Sequence, residues 1–138
     1  GYTVNVPVKE KTGDSDYLYI FNEIVLPLAF SYKPQLIVIS AGQDSHKDDP
    51  LSGLCLTESG YKEMTNLLSK TSEDLCNGKL VVELEGGYNL ESLKKSNYAI
   101  VSSLTGDRKN KTIKGEVKDS TKELISSLKE ILRSYHSI

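Results

Sequence analysis

The chain has 138 residues, 38% of them hydrophobic and 26% charged, with a net charge of −2 and a pI near 5.7. That length suits one domain that buries about two thirds of its unfolded surface, and the mixed, slightly acidic charge excludes the basic footprint of a protein that binds nucleic acid directly. No apolar stretch is long enough for a membrane helix, the run "EIVLPLAF" being short and interrupted, and no signal-peptide series opens the chain.

Residues 2–8, "YTVNVPV", alternate around β-branched side chains and predict a strand closed by Pro7. After the loop "KEKTGDSD", Tyr17, Ile20 or Phe21, Ile24 and Leu28 recur at helical spacing. Pro27 falls inside that pattern, so the helix must kink or restart there, and Pro34 ends it. Residues 35–40, "QLIVIS", form a short apolar run of the kind buried on both faces of a parallel sheet. The polar loop "AGQDSHKDDPLSG" follows.

Thr57 is the predicted N-cap of the next helix, whose apolar stripe is Tyr61, Met64, Leu68 and Leu75 and which stops at Asn77-Gly78. Residues 79–84, "KLVVEL", are the third predicted strand. Asn89 caps a helix carrying Leu90, Leu93, Val101 and Leu104. A polar stretch containing the sequon Asn110-Lys111-Thr112 leads to Ser120 and Glu123, the two ends of a capping box. The last helix then presents Leu124, Leu128, Ile131 and Tyr135 on one face. The cysteines Cys55 and Cys76 form no Cys-x-x-Cys pair and read as reduced thiols of a cytoplasmic protein.

Strands alternating with helices predict an α/β fold: a parallel sheet with flanking helices. Such sheets place their chemistry beyond the carboxyl ends of the strands. Two segments fall there, the Asp44 loop after the second strand and the turn Gly86-Gly87-Tyr88 after the third. They meet if those strands are neighbours.

By residue type Asp44 suits a metal ligand, a phosphoacceptor, a general base or a turn-former. Asp48 and Asp49, before Pro50, read as turn-formers. His46 stands two residues from Asp44 and is of zinc-ligand type, but two ligands make no site. A phosphoacceptor domain built on Asp44 would lack the usual acidic pair near the first strand and a lysine after the last. Gly86 and Gly87 lack the Walker and Gly-x-Gly-x-x-Gly spacings of a phosphate cradle. A phenol such as Tyr88 either packs against the helix or donates a hydrogen bond to an oxygen that gains charge.

The ordered set "VNVPV…TGDSDYL…KPQLIVISAGQDSHKDDPLSGLCLTESGY…LEGGYNLESL" resembles the histone deacetylase superfamily. The branch is the class II-like and prokaryotic one that includes acetylpolyamine amidohydrolases and acetoin-utilisation proteins. The likeness runs from Tyr2 to about Leu104, and the last thirty or so residues carry none of its motifs. It implies the C-terminal part of an arginase-deacetylase type fold over residues 1–106, followed by a polar linker and terminal amphipathic helix over 107–138.

The resemblance further implies a zinc site to which Asp44 contributes one ligand, a catalytic Tyr88 that hydrogen-bonds the acetyl carbonyl, and substrate-lining Gly86 and Gly87. A potassium ion near the Asn-Val-Pro segment, with Tyr2 in its outer site, belongs to the same pattern. Implied substrates are acetylated protein lysine, an acetylpolyamine or a small acetylated metabolite.

The family's paired catalytic histidines and its Asp-x-His ligand segment precede the Asn-Val-Pro segment. His46 and His136 match neither. The chain, which starts at Gly1 rather than Met, is therefore expected to be a piece of a longer protein, inactive without its N-terminal portion. The alternative expectation is a stand-alone, non-catalytic domain that self-associates through an exposed sheet edge. Gln43, where the family usually has an apolar residue, is expected to make the pocket wall more polar.

Overall fold

The computed structural model describes residues 1–109 and 113–138; the sequon Asn110-Lys111-Thr112 lies outside the described residues. Its elements in order are α1 (Asp14–Ile20), a π turn (Phe21–Val25), α2 (Leu26–Tyr32), β1 (Ile37–Ala41), α3 (Glu58–Cys76), β2 (Leu80–Leu84), α4 (Leu90–Leu104) and α5 (Asp119–Leu132).

Pro27 explains the π turn. Its nitrogen has no proton to donate, and its ring would collide with the carbonyl four residues back. The helix widens before it, so that the Leu26 N–H reaches back to the Phe21 carbonyl, and it resumes as α2. Lys33 in the left-handed region closes α2 just before Pro34.

β1 and β2 pair in parallel with Ile37 opposite Leu80 and Ala41 opposite Leu84, so both strands end at the same edge. Two expectations fail here. Residues 2–8 are extended, and Val4, Val6 and Val8 lean on the cluster of Ile20, Ile24, Ile125 and Leu132, but they join no strand ladder among the described residues. The strands are also covered on one face only. Ala41 and Val82 pack toward Leu56, Tyr61 and Ile100, whereas Val38, Val81 and Leu84 are exposed on or beside the other face. An apolar run signals that both faces can be buried; it does not supply the second cover.

Thr57 caps α3 as expected, accepting the Ser59 N–H, and Asn77 in the left-handed conformation ends it. Asn89 caps α4 through the N–H groups of Glu91 and Ser92. The face of α4 differs from its predicted stripe. Ser92, Ser96, Ala99, Ile100 and Ser103 are buried, while Leu90, Val101 and Leu104 are exposed. On α3, Thr65, Asn66, Ser69 and Ser72 are buried as well, and Ser103 donates a hydrogen bond to Asn66 across the helix pair. Small polar residues let the two backbones approach, and such packing leaves no hydrophobic periodicity to read.

The capping box at Ser120 is not used either. α5 begins two residues earlier, at Asp119 with Lys118 in the cap position, and that position contributes no side-chain cap. The Asp16 carboxylate, brought in from α1, accepts the Lys118 N–H at 2.9 Å and the Thr121 hydroxyl at 2.8 Å. The buried face of α5 carries Ile125 and Leu132 with Leu128 beside them, turned from the predicted one; Ile131 and Tyr135 are exposed. Each fully buried isoleucine in this cluster contributes about 1.5–3 kcal/mol. No helix among the described residues is long and apolar enough to cross a membrane.

Candidate functional site

The parallel register decides where the two loops go. The ladder continues past the strand ends: the Glu85 N–H donates to the Ala41 carbonyl at 3.3 Å and the Gln43 N–H to the Gly86 carbonyl at 2.8 Å. Asp44 and the Gly86-Gly87-Tyr88 turn therefore share one edge of the molecule, as the neighbouring-strand condition requires.

The Asp44 carboxylate lies between two glycines. A β-carbon on Gly42 would stand 3.2 Å from its Oδ1, and one on Gly86 only 2.7 Å from its Oδ2. Asp44 is half-buried, and no hydrogen bond or ion pair among the described residues engages its oxygens. Behind it, burial pushes the phenols of Tyr17 and Tyr61 above the ordinary tyrosine value. The Asp44 charge raises both further, and at Tyr61 the bond to the Ser45 hydroxyl, 2.8 Å away, works in the opposite direction.

A half-buried carboxylate without donors is the environment a cation would complete. Zinc takes such an oxygen as one ligand of several. Asp44 thus fits a single ligand position, and no cluster of three or more His, Cys, Asp or Glu able to hold a metal occurs among the described residues. His46 is not its partner. The ring is 2% exposed; Nδ1 accepts the Asp48 N–H at 3.1 Å and Nε2 faces Glu58 at 3.6 Å. His136 lies elsewhere, with Nε2 2.6 Å from the Gly1 carbonyl.

Gly87 has φ of +137°, which disfavours any side chain, and a β-carbon there would lie 2.7 Å from Leu93 Cδ1. Tyr88 follows and is 61% exposed. The whole turn is tied to the Asp44 loop: Asp49 Oδ2 accepts the Tyr88 N–H at 2.7 Å, and the Asn89 side-chain amide donates to the Asp48 carbonyl at 3.0 Å. Asp49 makes its expected turn as well, accepting the Leu51 N–H on Oδ1. Its second bond reaches a residue 39 positions away, which no local pattern signals.

Gln43 corrects another expectation. It is 1% exposed and donates to Asn97 of α4 at 2.7 Å, so it clasps the loop to the helix from inside rather than facing a pocket.

The histone deacetylase domain model matches residues 1–104. A probable deacetylase of Archaeoglobus fulgidus is 45% identical over 77% of this chain and 30% of its own length. Histone deacetylase 18 of Arabidopsis thaliana is 41% identical over 98% of this chain and 20% of its own. That match extends the likeness through the last thirty residues, beyond the motifs that end near Leu104. The crystal structure of the HDA15 HD domain superposes with a TM-score of 0.84 at 36% identity, covering 96% of this chain and 36% of that one. The histone deacetylase Clr3 gives a TM-score of 0.88 at 32% identity, covering 96% and 22%. The chain spans between a fifth and about a third of the length of these relatives.

Proposed function

The chain belongs to the histone deacetylase family, and from that premise we propose that it is the C-terminal portion of a zinc-dependent deacetylase that hydrolyses acetyl-lysine or a related acetyl-amide. The observation that carries the proposal is the Asp44 carboxylate, without a donor among the described residues, held against the Gly86 backbone of the turn that presents Tyr88.

In this reading Asp44 supplies one zinc ligand. The other ligands and the general-base histidines come from residues outside this sequence, so these 138 residues alone are inactive. Zinc, when bound, polarises the acetyl carbonyl and acidifies a water. Gly86 and Gly87 offer a wall without side chains, along which an extended alkyl stem can lie close to the backbone. The exposed Tyr88 phenol donates a hydrogen bond to the acetyl oxygen, one that strengthens as negative charge builds there. Protein lysine, acetylpolyamines and small acetylated metabolites all offer this amide. A potassium ion bound near residues 1–8 and a cytoplasmic location, in keeping with the free thiols Cys55 and Cys76, complete the proposal.

The test uses the full-length protein that carries these residues. It should retain zinc and hydrolyse an acetyl-lysine peptide, and Asp44→Ala should lose both. Stoichiometric zinc in the D44A protein, read by elemental mass spectrometry, would remove Asp44 from the site.

The exposed Val38 and Val81 face favours a second reading, a non-catalytic domain that pairs with a second copy of itself. A stable dimer of this chain in light scattering, together with no zinc retention and no turnover by the full-length protein, would decide for it.

A further inference from the structure

We propose that Asp49 is a positioning residue for Tyr88, setting the direction of the phenol through the backbone of the 86–89 turn; this rests on the reading of Tyr88 as the donor to the acetyl oxygen.

The phenol has no anchor of its own. The residue is 61% exposed, and no hydrogen bond or ring contact among the described residues holds its side chain. Its direction is therefore inherited from its backbone. The backbone in turn passes through Gly87, the residue type least able to hold a conformation by itself.

Two bonds from the Asp44 loop bracket that glycine. The Gln43 N–H holds the Gly86 carbonyl at 2.8 Å on one side, and Asp49 Oδ2 holds the Tyr88 N–H at 2.7 Å on the other. The second is a charge-assisted bond of short length, the stronger kind.

Asp49 can act as a strut because it is itself held. Its Oδ1 accepts the Leu51 N–H at 3.0 Å, its own N–H donates to the His46 carbonyl at 2.9 Å, and Pro50 follows it. His46, 2% exposed, is the post on which this turn stands, since its Nδ1 also accepts the Asp48 N–H. Asp48 adds a parallel tie through its carbonyl to Asn89, whose Oδ1 caps α4. Asp49 thus links the ligand-bearing loop to the phenol-bearing turn.

The experiment is a double-mutant cycle in the full-length protein, with an acetyl-lysine peptide as substrate. Asp49→Ala is expected to lower kcat about 10- to 100-fold with KM moved less than about threefold, the signature of a misplaced catalytic group. Asp49→Asn keeps one acceptor oxygen and should lose about 3- to 10-fold. In a Tyr88→Phe background D49A should cost nothing further, because the group it positions is gone.

Amide hydrogen exchange supplies a readout independent of turnover: D49A should speed exchange of the peptide containing Tyr88 about tenfold or more. Equal losses from D49A in both backgrounds, or unchanged exchange at Tyr88, would overturn the proposal. If D49A does not fold, the same two measurements on D49N decide. A Tyr88→Phe protein with undiminished turnover would instead overturn the donor reading, while the exchange data would still report whether Asp49 holds the turn.

Discussion

Asp16 and Asp44 are two carboxylates of one chain used in opposite ways. Asp16 is 3% exposed and saturated: it accepts the Gly13 N–H on one oxygen and the Lys118 N–H and Thr121 hydroxyl on the other, with the Lys118 ammonium 4.0 Å away. Asp44 is half-buried at the strand tips and engages no donor among the described residues. A buried carboxylate costs several kcal/mol unless donors surround it. Asp16 therefore behaves as part of the fold, joining α1 to α5, whereas Asp44 is left open, which is what the proposed ligand role requires. The same contrast runs through the tyrosines. Tyr61 is buried and bonded to Ser45, whereas Tyr88 is exposed and held only by its backbone.

Substitutions on the two sides should separate these roles. The largest effect is expected from Tyr88→Phe, which should lower turnover of the full-length protein by about two to three orders of magnitude, the usual worth of one oxyanion donor, without moving its melting temperature. Steady-state kinetics with parallel calorimetry checks both halves. Asp16→Ala should do the reverse, destabilising the fold by about 2–4 kcal/mol through the donors it strands. With zinc removed from both proteins, Asp44→Ala should stay within about 0.5 kcal/mol of the parent, and urea titrations of the two metal-free proteins give the difference directly.

Gly86→Ala sharpens the contrast from the backbone side. Its new β-carbon would fall 2.7 Å from Asp44 Oδ2, so the carboxylate must move. Zinc affinity, measured by competition with a chromophoric chelator, should fall about 10- to 100-fold while stability changes little.

The smallest effect is a pH dependence. Hydrogen bonding to the backbone at the start of α3 holds the Glu58 carboxyl below the ordinary range, with help from His46 and Lys95 and against the effect of partial burial. A lowered folded-state value means that Glu58 stabilises the protein above the unfolded value of about 4.3. That stabilisation is lost as pH falls through the folded one. The melting temperature of Glu58→Gln should lie below the parent's at neutral pH and converge on it toward pH 3.

Much of this was legible locally. Thr57 and Asn89 announce α3 and α4 because a cap is satisfied by N–H groups two or three residues away. Pro27 announces its interruption because the clash is with its own turn. The apolar runs become β1 and β2, and the adjacency of the Asp44 loop and the Gly86 turn follows from parallel pairing. The family pattern named Asp44, Gly86, Gly87 and Tyr88 as one set.

What failed were statements about partners. The alternating valines of residues 2–8 were read as a strand, yet a strand exists only if another chain segment accepts its hydrogen bonds. Ser120 looked like a cap, yet Asp16, distant in sequence and adjacent in space, had displaced it. The leucines of α4 looked like its core face, yet Ser96 and Ser103 went inside, because α3 offered a close polar groove rather than an apolar one.

By itself the sequence determined the order of helices and strands, the caps that bound them and the chemical identity of the residues at the strand tips. These depend on steric and hydrogen-bonding rules that act within a few residues. Only the tertiary structure decided which carboxylate is saturated and which is left open, and that Asp49 reaches across to Tyr88. Such outcomes depend on which distant donors arrive within 3 Å of an acceptor, and chain packing alone sets that.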